Sequence, residues 1–139
     1  MTICRENSIG IVGAGVSGLL LTNQLTADGY KVYLFGEKDG RNQVLGSWRN
    51  TVTPSPQSYH LLGRWHSWEF KFDNEKFSQK GANYHYEVID GKAMKLSIEN
   101  SLQKNSNCIR VEENIATINQ AGKGFEVCFE SETQSVPVD

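Results

Sequence analysis

The sequence predicts an α/β fold that opens on a βαβ unit. Three observations carry that expectation. The β-branched residues Ile9, Ile11 and Val12 lead directly into Gly13-x-Gly15-x-x-Gly18, as a buried parallel strand leads into a tight turn. After Gly18, leucines at 19, 20, 21 and 25 give a helix with a broad apolar face, which Gly29 stops. Lys31 to Phe35, "KVYLF", is then a second β-rich strand. Strand, turn, helix and strand together span about 28 residues, close to the ~30 of one βαβ unit.

Further along, Gly40 to Gly63 is mostly loop-like, with Pro54, Pro56 and several Ser, Thr and Asn. In "WHSWEFKFD", Trp68, Phe70 and Phe72 alternate with Glu69, Lys71 and Asp73, which predicts a strand with one aromatic face. Its expected partner is "NYHYEVI", where Tyr84, Tyr86 and Val88 alternate in the same way. Asp90 then stands as N-cap of a helix of about fourteen residues, with Met94, Ile98 and Leu102 on one face. "CIRV" (Cys108 to Val111) reads as a short strand. "IATINQ" and "FEVCFES" flank Gly122 and Gly124 as a hairpin, and "SVPV" is a third strand of that meander. The expected organisation is one dinucleotide-binding domain: a βαβ unit over 1–38, an insertion with aromatic strands over 39–90, and helix, strand and meander over 91–139. The fold class is thus Rossmann-like, with an inserted aromatic β layer and a β-meander, and the chain reads as the N-terminal portion of a longer domain.

The glycine pattern has a specific physical meaning. Gly13 permits the bend out of the strand, Gly15 lets a pyrophosphate approach the backbone, and Gly18 lets the helix lie close to the strand. Free N–H groups at the helix start and the helix dipole favour a phosphate anion there. An acid about 20 residues on accepts hydrogen bonds from a ribose; Glu37 follows Gly18 by 19 residues. Gly36 occupies the place where that acid commonly sits, and Glu37 comes one residue late. A carboxylate there repels a 2′-phosphate, so FAD or NAD is favoured over NADP.

Composition narrows the remaining classes. Of 139 residues, 38% are apolar and 22% charged, as in ordinary globular chains rather than disordered ones. A net charge of −2 and the absence of a basic run give no electrostatic case for nucleic acid or an anionic membrane. Three widely spaced cysteines (Cys4, Cys108, Cys128) make neither a disulfide framework nor a zinc site, and fit a reducing cytoplasm. His60, His66 and His85 show no metal-ligand spacing, so no metal is expected. Ile9 to Leu21 is too short to span a bilayer, and its glycines argue against a signal peptide.

At "IGIVGAGVSGLLLTNQLTADGYKVYLFGEK" the chain resembles the N-terminal part of FAD-dependent flavoproteins of the glutathione-reductase-like superfamily. Within that group it is similar to the lycopene cyclases, through "GSW" at Gly46 to Trp48, "RWHSWEF" at Arg64 to Phe70 and "YHYEVIDGKAM" at Tyr84 to Met94. Flavin monooxygenases of the styrene type share the first motif and its late acid. The resemblance implies FAD as cofactor, with NAD the lesser alternative. It implies that Gly13, Gly15 and Gly18 hold the pyrophosphate, with Ala14, Val16 and Ser17 between them, and Glu37 the adenosine ribose, with Lys38 beside it. It also implies that Ile115 contacts the adenine through its backbone. Where the family often has an arginine at the start of the later helix, this chain has Asp90, and the cyclases' acidic catalytic motif has no counterpart. No catalytic residue is assigned.

Other residues admit two readings. Trp48, Trp65 and Trp68 at strand spacing read as core, or alternatively as a wall against an isoprenoid or aromatic substrate. His66 and His85 read as structural rather than as acid or base, and Cys108 and Cys128 as small buried hydrophobes. The expected function is the FAD-binding portion of a flavin-dependent enzyme acting on an apolar substrate, cyclase-like, with membrane contact only if that substrate is a carotenoid. The alternatives are an FAD-dependent monooxygenase or oxidoreductase, a non-catalytic module that pairs with another chain, and an NAD-dependent domain, against which the long aromatic insertion argues.

Overall fold

The structure, a computed structural model, describes residues 8–37, 40–52, 60–130 and 135–138. Its described residues fall into two compact units, one drawn from Met1–Gly40 and Ile98–Asp139, the other from Arg41–Ser97.

In the first unit, β1 (Ser8–Val12), α1 (Val16–Ala27) and β2 (Lys31–Phe35) follow one another, and β1 pairs in parallel with β2. A third parallel strand, β8 (Cys108–Val111), lies on the other side of β2, giving the order β1-β2-β8. The central strand explains its own sequence: Val32, Tyr33, Leu34 and Phe35 are all buried, because a parallel strand between two neighbours is covered on both faces. α1 ends in a Schellman arrangement. The Tyr30 N–H donates to the Leu25 carbonyl (3.0 Å) and the Gly29 N–H to that of Thr26 (3.2 Å), with Gly29 at φ +91°.

The helix face differs from the one its leucines predict. Leu19, Thr22 and Thr26 are buried, whereas Leu20 and Leu21 point outward. The buried threonines are tolerated because their hydroxyls bond backward, Thr22 to the Gly18 carbonyl (2.7 Å) and Thr26 to that of Asn23 (3.2 Å). The meander is as expected: β9 (Ile115–Ala121), β10 (Gly124–Phe129) and β11 (Ser135–Val138) form an antiparallel sheet in the order β11-β10-β9. Tyr33 and Phe35 pack with Val127 and Phe129 into one cluster, flanked by Ile109, Val111 and Ile115. The Phe35 and Phe129 rings are 6.0 Å apart.

The second unit departs further from expectation. Val44–Asn50, expected as loop, is a strand, β3; Pro54 and Pro56 lie outside the described residues. The aromatic stretch is split into β4 (Leu61–Trp65) and β5 (Ser67–Phe72). β5 does not pair with the Tyr84 strand. It turns at Asp73 (φ +51°) into β6 (Glu75–Lys80), an unexpected strand, and the two form a hairpin of their own. β7 (Tyr84–Asp90) is instead the centre of a sheet ordered β3-β7-β4. Alternation reports which side chains share a face, and it is silent about the partner strand.

α2 (Gly91–Leu102) begins where expected and is two residues shorter than the fourteen predicted. The Asp90 carboxylate caps it, accepting from the Ala93 N–H at 3.0 Å. Met94, Ile98 and Leu102 are buried as the spacing requires. Phe35, fully buried at the junction of sheet and meander, is the side chain on which the first unit depends most. Phe35→Ala is expected to lower unfolding free energy by about 3–5 kcal/mol in a urea titration.

Candidate functional site

The six residues from Gly13 to Gly18 form the turn between β1 and α1. The Gly13 N–H donates to the Phe35 carbonyl (2.8 Å), so the turn begins hydrogen-bonded across to the end of β2. Gly13 sits at φ +104°, a left-handed conformation that glycine adopts without strain. A Cβ at Gly18 would fall onto the Gly13 carbonyl oxygen. Gly18 is therefore the residue that lets the helix close on the strand, as its spacing implies.

Gly15 is the opposite case. A Cβ there meets nothing within 4 Å, its backbone is extended (φ −73°, ψ −178°), and it serves as N-cap with no side-chain hydrogen bond. The first intrahelical bond runs from the Leu19 N–H to the Gly15 carbonyl at 2.9 Å. No acidic residue occupies the first turn. α1 starts at Val16, two residues before the glycine from which the leucine pattern places it, so Val16, Ser17 and Gly18 contribute the unpaired N–H groups of the first turn. Gly13, Gly15 and Ser17 are exposed, while Ala14 is buried. The result is an open helix start, ringed by backbone donors, in front of a glycine that leaves room. Those properties fit the pyrophosphate of a dinucleotide.

The end of β2 is crowded against the glycine turn. Gly36 has φ +135°, its N–H donates to the Val111 carbonyl (3.0 Å), and a Cβ on it would sit 3.0 Å from the Ala14 nitrogen. A side chain at position 36 would be strained and would crowd Ala14; the next residue, Glu37, is exposed. Lys38 lies outside the described residues. Ile115 starts β9 opposite Phe129, and its side chain packs on the Tyr33, Phe35 and Phe129 cluster. Its side chain thus belongs to the core, and no described contact joins it to the glycine turn.

Trp48 and Trp65 are not core, and Trp68 is half-buried. Trp48 is 52% and Trp65 50% exposed, and Trp48 stands edge-on to Trp68 (4.6 Å) and to Tyr86 (5.1 Å). Behind them, the other face of β7 carries a buried charge network that the sequence analysis missed. Glu87, fully buried, accepts two bonds from Arg64 (2.8 and 2.6 Å) and faces His85 Nε2 at 2.8 Å, with Arg49 at 3.8 Å. The signal was present: His85 and Glu87 are two apart on one strand and therefore share a face. His85 is buried and hydrogen-bonded to Glu87, and His66 is exposed with its ring 5.3 Å from that of His85. Cys108 and Cys128 are free thiols and only half-buried, where full burial was expected. Burial pushes the Cys108 thiol up, against the lesser opposing pull of Arg110.

Among the described residues no group of three His, Cys, Asp or Glu could hold a metal ion, and no helix is long and apolar enough to cross a membrane. No family model and no curated protein matches the chain in sequence. In solved structures the chain finds its fold. It is similar to p-nitrophenol 4-monooxygenase PnpA from Pseudomonas putida, with 15% identity and a TM-score of 0.65 over 98% of this chain and 39% of that one. PqsL from Pseudomonas aeruginosa, a probable FAD-dependent monooxygenase, aligns at 11% identity and TM-score 0.60, over 94% and 40%. Halogenase PltM aligns at 13% identity and TM-score 0.63, over 96% and 33%. The chain thus has the mixed α/β, strand-rich fold found in these structures, and spans about two fifths or less of their length.

Two outcomes test this geometry. Moving the acid to its usual place, Gly36→Asp, is expected to cost about 1–3 kcal/mol of stability in urea unfolding, through backbone strain and the clash at Ala14. Alkylation of Cys108 by iodoacetamide at pH 8, followed by mass spectrometry, should run more slowly in the folded chain than in urea. The folded rate should keep rising above the pH at which the unfolded rate levels, because a raised thiol pKa leaves less thiolate at pH 8.

Proposed function

We propose that this chain is the FAD-binding portion of a flavin-dependent oxidoreductase of the monooxygenase kind, acting on an apolar substrate. The observation that carries the proposal is the turn at Gly13–Gly18: an uncapped helix start with open space over Gly15, closed behind by Gly13 and Gly18. The backbone of Gly13, Ala14, Gly15, Val16, Ser17 and Gly18 holds the pyrophosphate. Glu37 binds the adenosine ribose, with Lys38 next to it, and the Ile115 backbone faces the adenine. Bound FAD supplies the redox chemistry; the residues named here bind and orient it. FAD is preferred to NAD because PqsL, a probable FAD-dependent monooxygenase, shares the fold over 94% of the chain.

Substrate recognition and catalytic residues belong, on this proposal, partly to residues that the chain does not share with its longer structural neighbours. A reading as the corresponding part of a lycopene cyclase rests on the "GSW", "RWHSWEF" and "YHYEVIDGKAM" stretches alone, and the structural neighbours described above favour the monooxygenase kind.

Titration of the full chain with FAD, followed by flavin fluorescence, tests the assignment. The Gly15→Val variant should lose only about 1 kcal/mol of stability, the cost of a poorer N-cap, since a Cβ there meets no neighbour. It should bind FAD at least about tenfold more weakly, a loss of about 1.4 kcal/mol. Equal binding by both chains, or tighter binding of NAD than of FAD, overturns the proposal.

A further inference from the structure

The second unit contains an open cleft of about 570 Å³, a volume within the range of small-molecule sites. One wall comes from the β3-β7-β4 sheet. Trp48 lies opposite Tyr86 in the β3–β7 register, and Tyr84, two residues earlier on β7, shares that face. The other wall comes from the β5–β6 hairpin, where Trp68 and Gln79 stand directly opposite one another and so share a face. Both walls are held in place. Trp48 is edge-on to Trp68 and to Tyr86. A Cβ on Gly81, between β6 and β7, would come 3.1 Å from the Trp68 ring and would strike the Tyr84 carbonyl oxygen, so glycine there lets hairpin and sheet approach. The Gly81 N–H donates to the His66 carbonyl at 2.7 Å and anchors that connection.

Fixed in this way, Trp48 and Tyr84 still leave 52% and 53% of their surface uncovered. Large aromatic rings gain by burial, and contiguous exposed apolar surface beside polar groups marks a binding site. The aromatic face of this cleft carries no charge. Among the described residues lining it, Lys80 alone is charged, and the β5–β6 register sets Lys80 opposite Ser67, on the ribbon face away from Trp68. An anion would therefore lose its hydration against aromatic rings with no cation to replace it. No acid lines the cleft either, which leaves a cation only the ring faces. The polar residue that the register does place beside Trp68 is Gln79, whose amide offers both a donor and an acceptor. Aromatic walls, one amide and no charge match a neutral molecule.

We propose that this cleft binds a flat, uncharged aromatic molecule carrying a hydrogen-bonding group, its ring against Trp48 and Tyr84 and its polar group on the Gln79 amide. This deepens the substrate half of the proposed function, which leaves the class of apolar molecule open, and rests on that reading only in calling the molecule a substrate. Binding itself involves residues of the second unit alone.

Calorimetric titration of the full chain at neutral pH with 2-naphthamide, 2-naphthoate and 2-naphthamidinium tests the proposal. The three have nearly one shape and are neutral, anionic and cationic in turn. Native chain should bind the amide at least about fivefold more tightly than either ion. Gln79→Leu should weaken binding of the amide about threefold to tenfold, the net contribution of one hydrogen bond. Lys80→Gln should leave all three affinities unchanged, and Trp48→Leu should weaken the amide by about tenfold. Gln79 and Lys80 are exposed, so their variants keep the test sharp even where Trp48→Leu disturbs folding. Binding of none of the three, an affinity for either ion equal to or above that for the amide, or amide binding indifferent to Gln79→Leu overturns the proposal. So does naphthoate binding that Lys80→Gln removes, since the lysine then reaches the ligand. Concentration-dependent self-association that Trp48→Leu removes while 2-naphthamide leaves it unaffected overturns it too, because the cleft is then covered by a second copy. An FAD titration of the same sample separates the two proposals: naphthamide binding without FAD binding overturns the cofactor assignment alone, and the reverse result overturns this one alone.

Discussion

The bond from the Gly13 N–H to the Phe35 carbonyl ties the first turn to the end of the second strand, and the architecture of the first unit depends on how closely those two places approach. Gly18 and Gly36 are two sides of the same crowding. One allows the helix to lie on the Gly13 carbonyl, and the other allows the β2 end to lie on Ala14. With both contacts made, Phe35 is directed into the cluster with Tyr33, Val127 and Phe129. Gly15, between Gly13 and Gly18 in sequence, is left in open space. A crowded frame at Gly18 and Gly36 around the open Gly13 and Gly15 is what an anion-binding turn requires: rigid donors, and nothing where the ligand goes.

The second unit solves a different problem. β7 has a partner on each side, and the face it buries carries His85 and Glu87 instead of a run of aliphatics. A buried carboxylate is costly unless its hydrogen bonds are met. Glu87 meets that condition with Arg64 from β4 and His85 from its own strand. A shift of register by one residue would turn Glu87 to the other face and part it from Arg64. The network therefore fixes the alignment of β4 on β7, and with it the positions of Trp48 and Trp65 opposite Tyr86 on the aromatic face.

How much of this the sequence discloses depends on how local the determining physics is. The βαβ unit, the Asp90 cap, the Met94, Ile98 and Leu102 face and the hairpin at Gly122 are all set by residues within a few positions of one another, and all are legible. β3 is not, because "VLGSWRN" has loop-like composition and becomes a strand only where β7 offers an edge. β6 is not, because "EKFSQK" has little intrinsic strand preference; the clue was the two-residue Asp73–Asn74 turn between alternating stretches. In the site, the glycines were legible from their spacing. The crowding at Gly36 was not, since its contact with Ala14 joins residues more than twenty positions apart. The exposure of Trp48 and Trp65 is not legible for a similar reason: periodicity reports a shared face, and only the packing decides whether that face is covered.

The β5–β6 hairpin carries a consequence for the behaviour of the chain in solution. Phe70, Phe72 and Phe77 are all more than half exposed on this ribbon, and neither strand pairs with a third among the described residues. Unpaired edges beside an apolar face are a template for joining one molecule to the next. Alternation puts Glu69, Lys71, Lys76 and Lys80 on the opposite face, and such charges keep ribbons apart only over roughly a Debye length, about 8 Å at physiological salt. Self-association through this ribbon is therefore opposed only locally, by Lys80 and by Lys71 and Lys76, which are themselves paired with Glu69. Raising ionic strength acts on it in the same direction as neutralising those lysines.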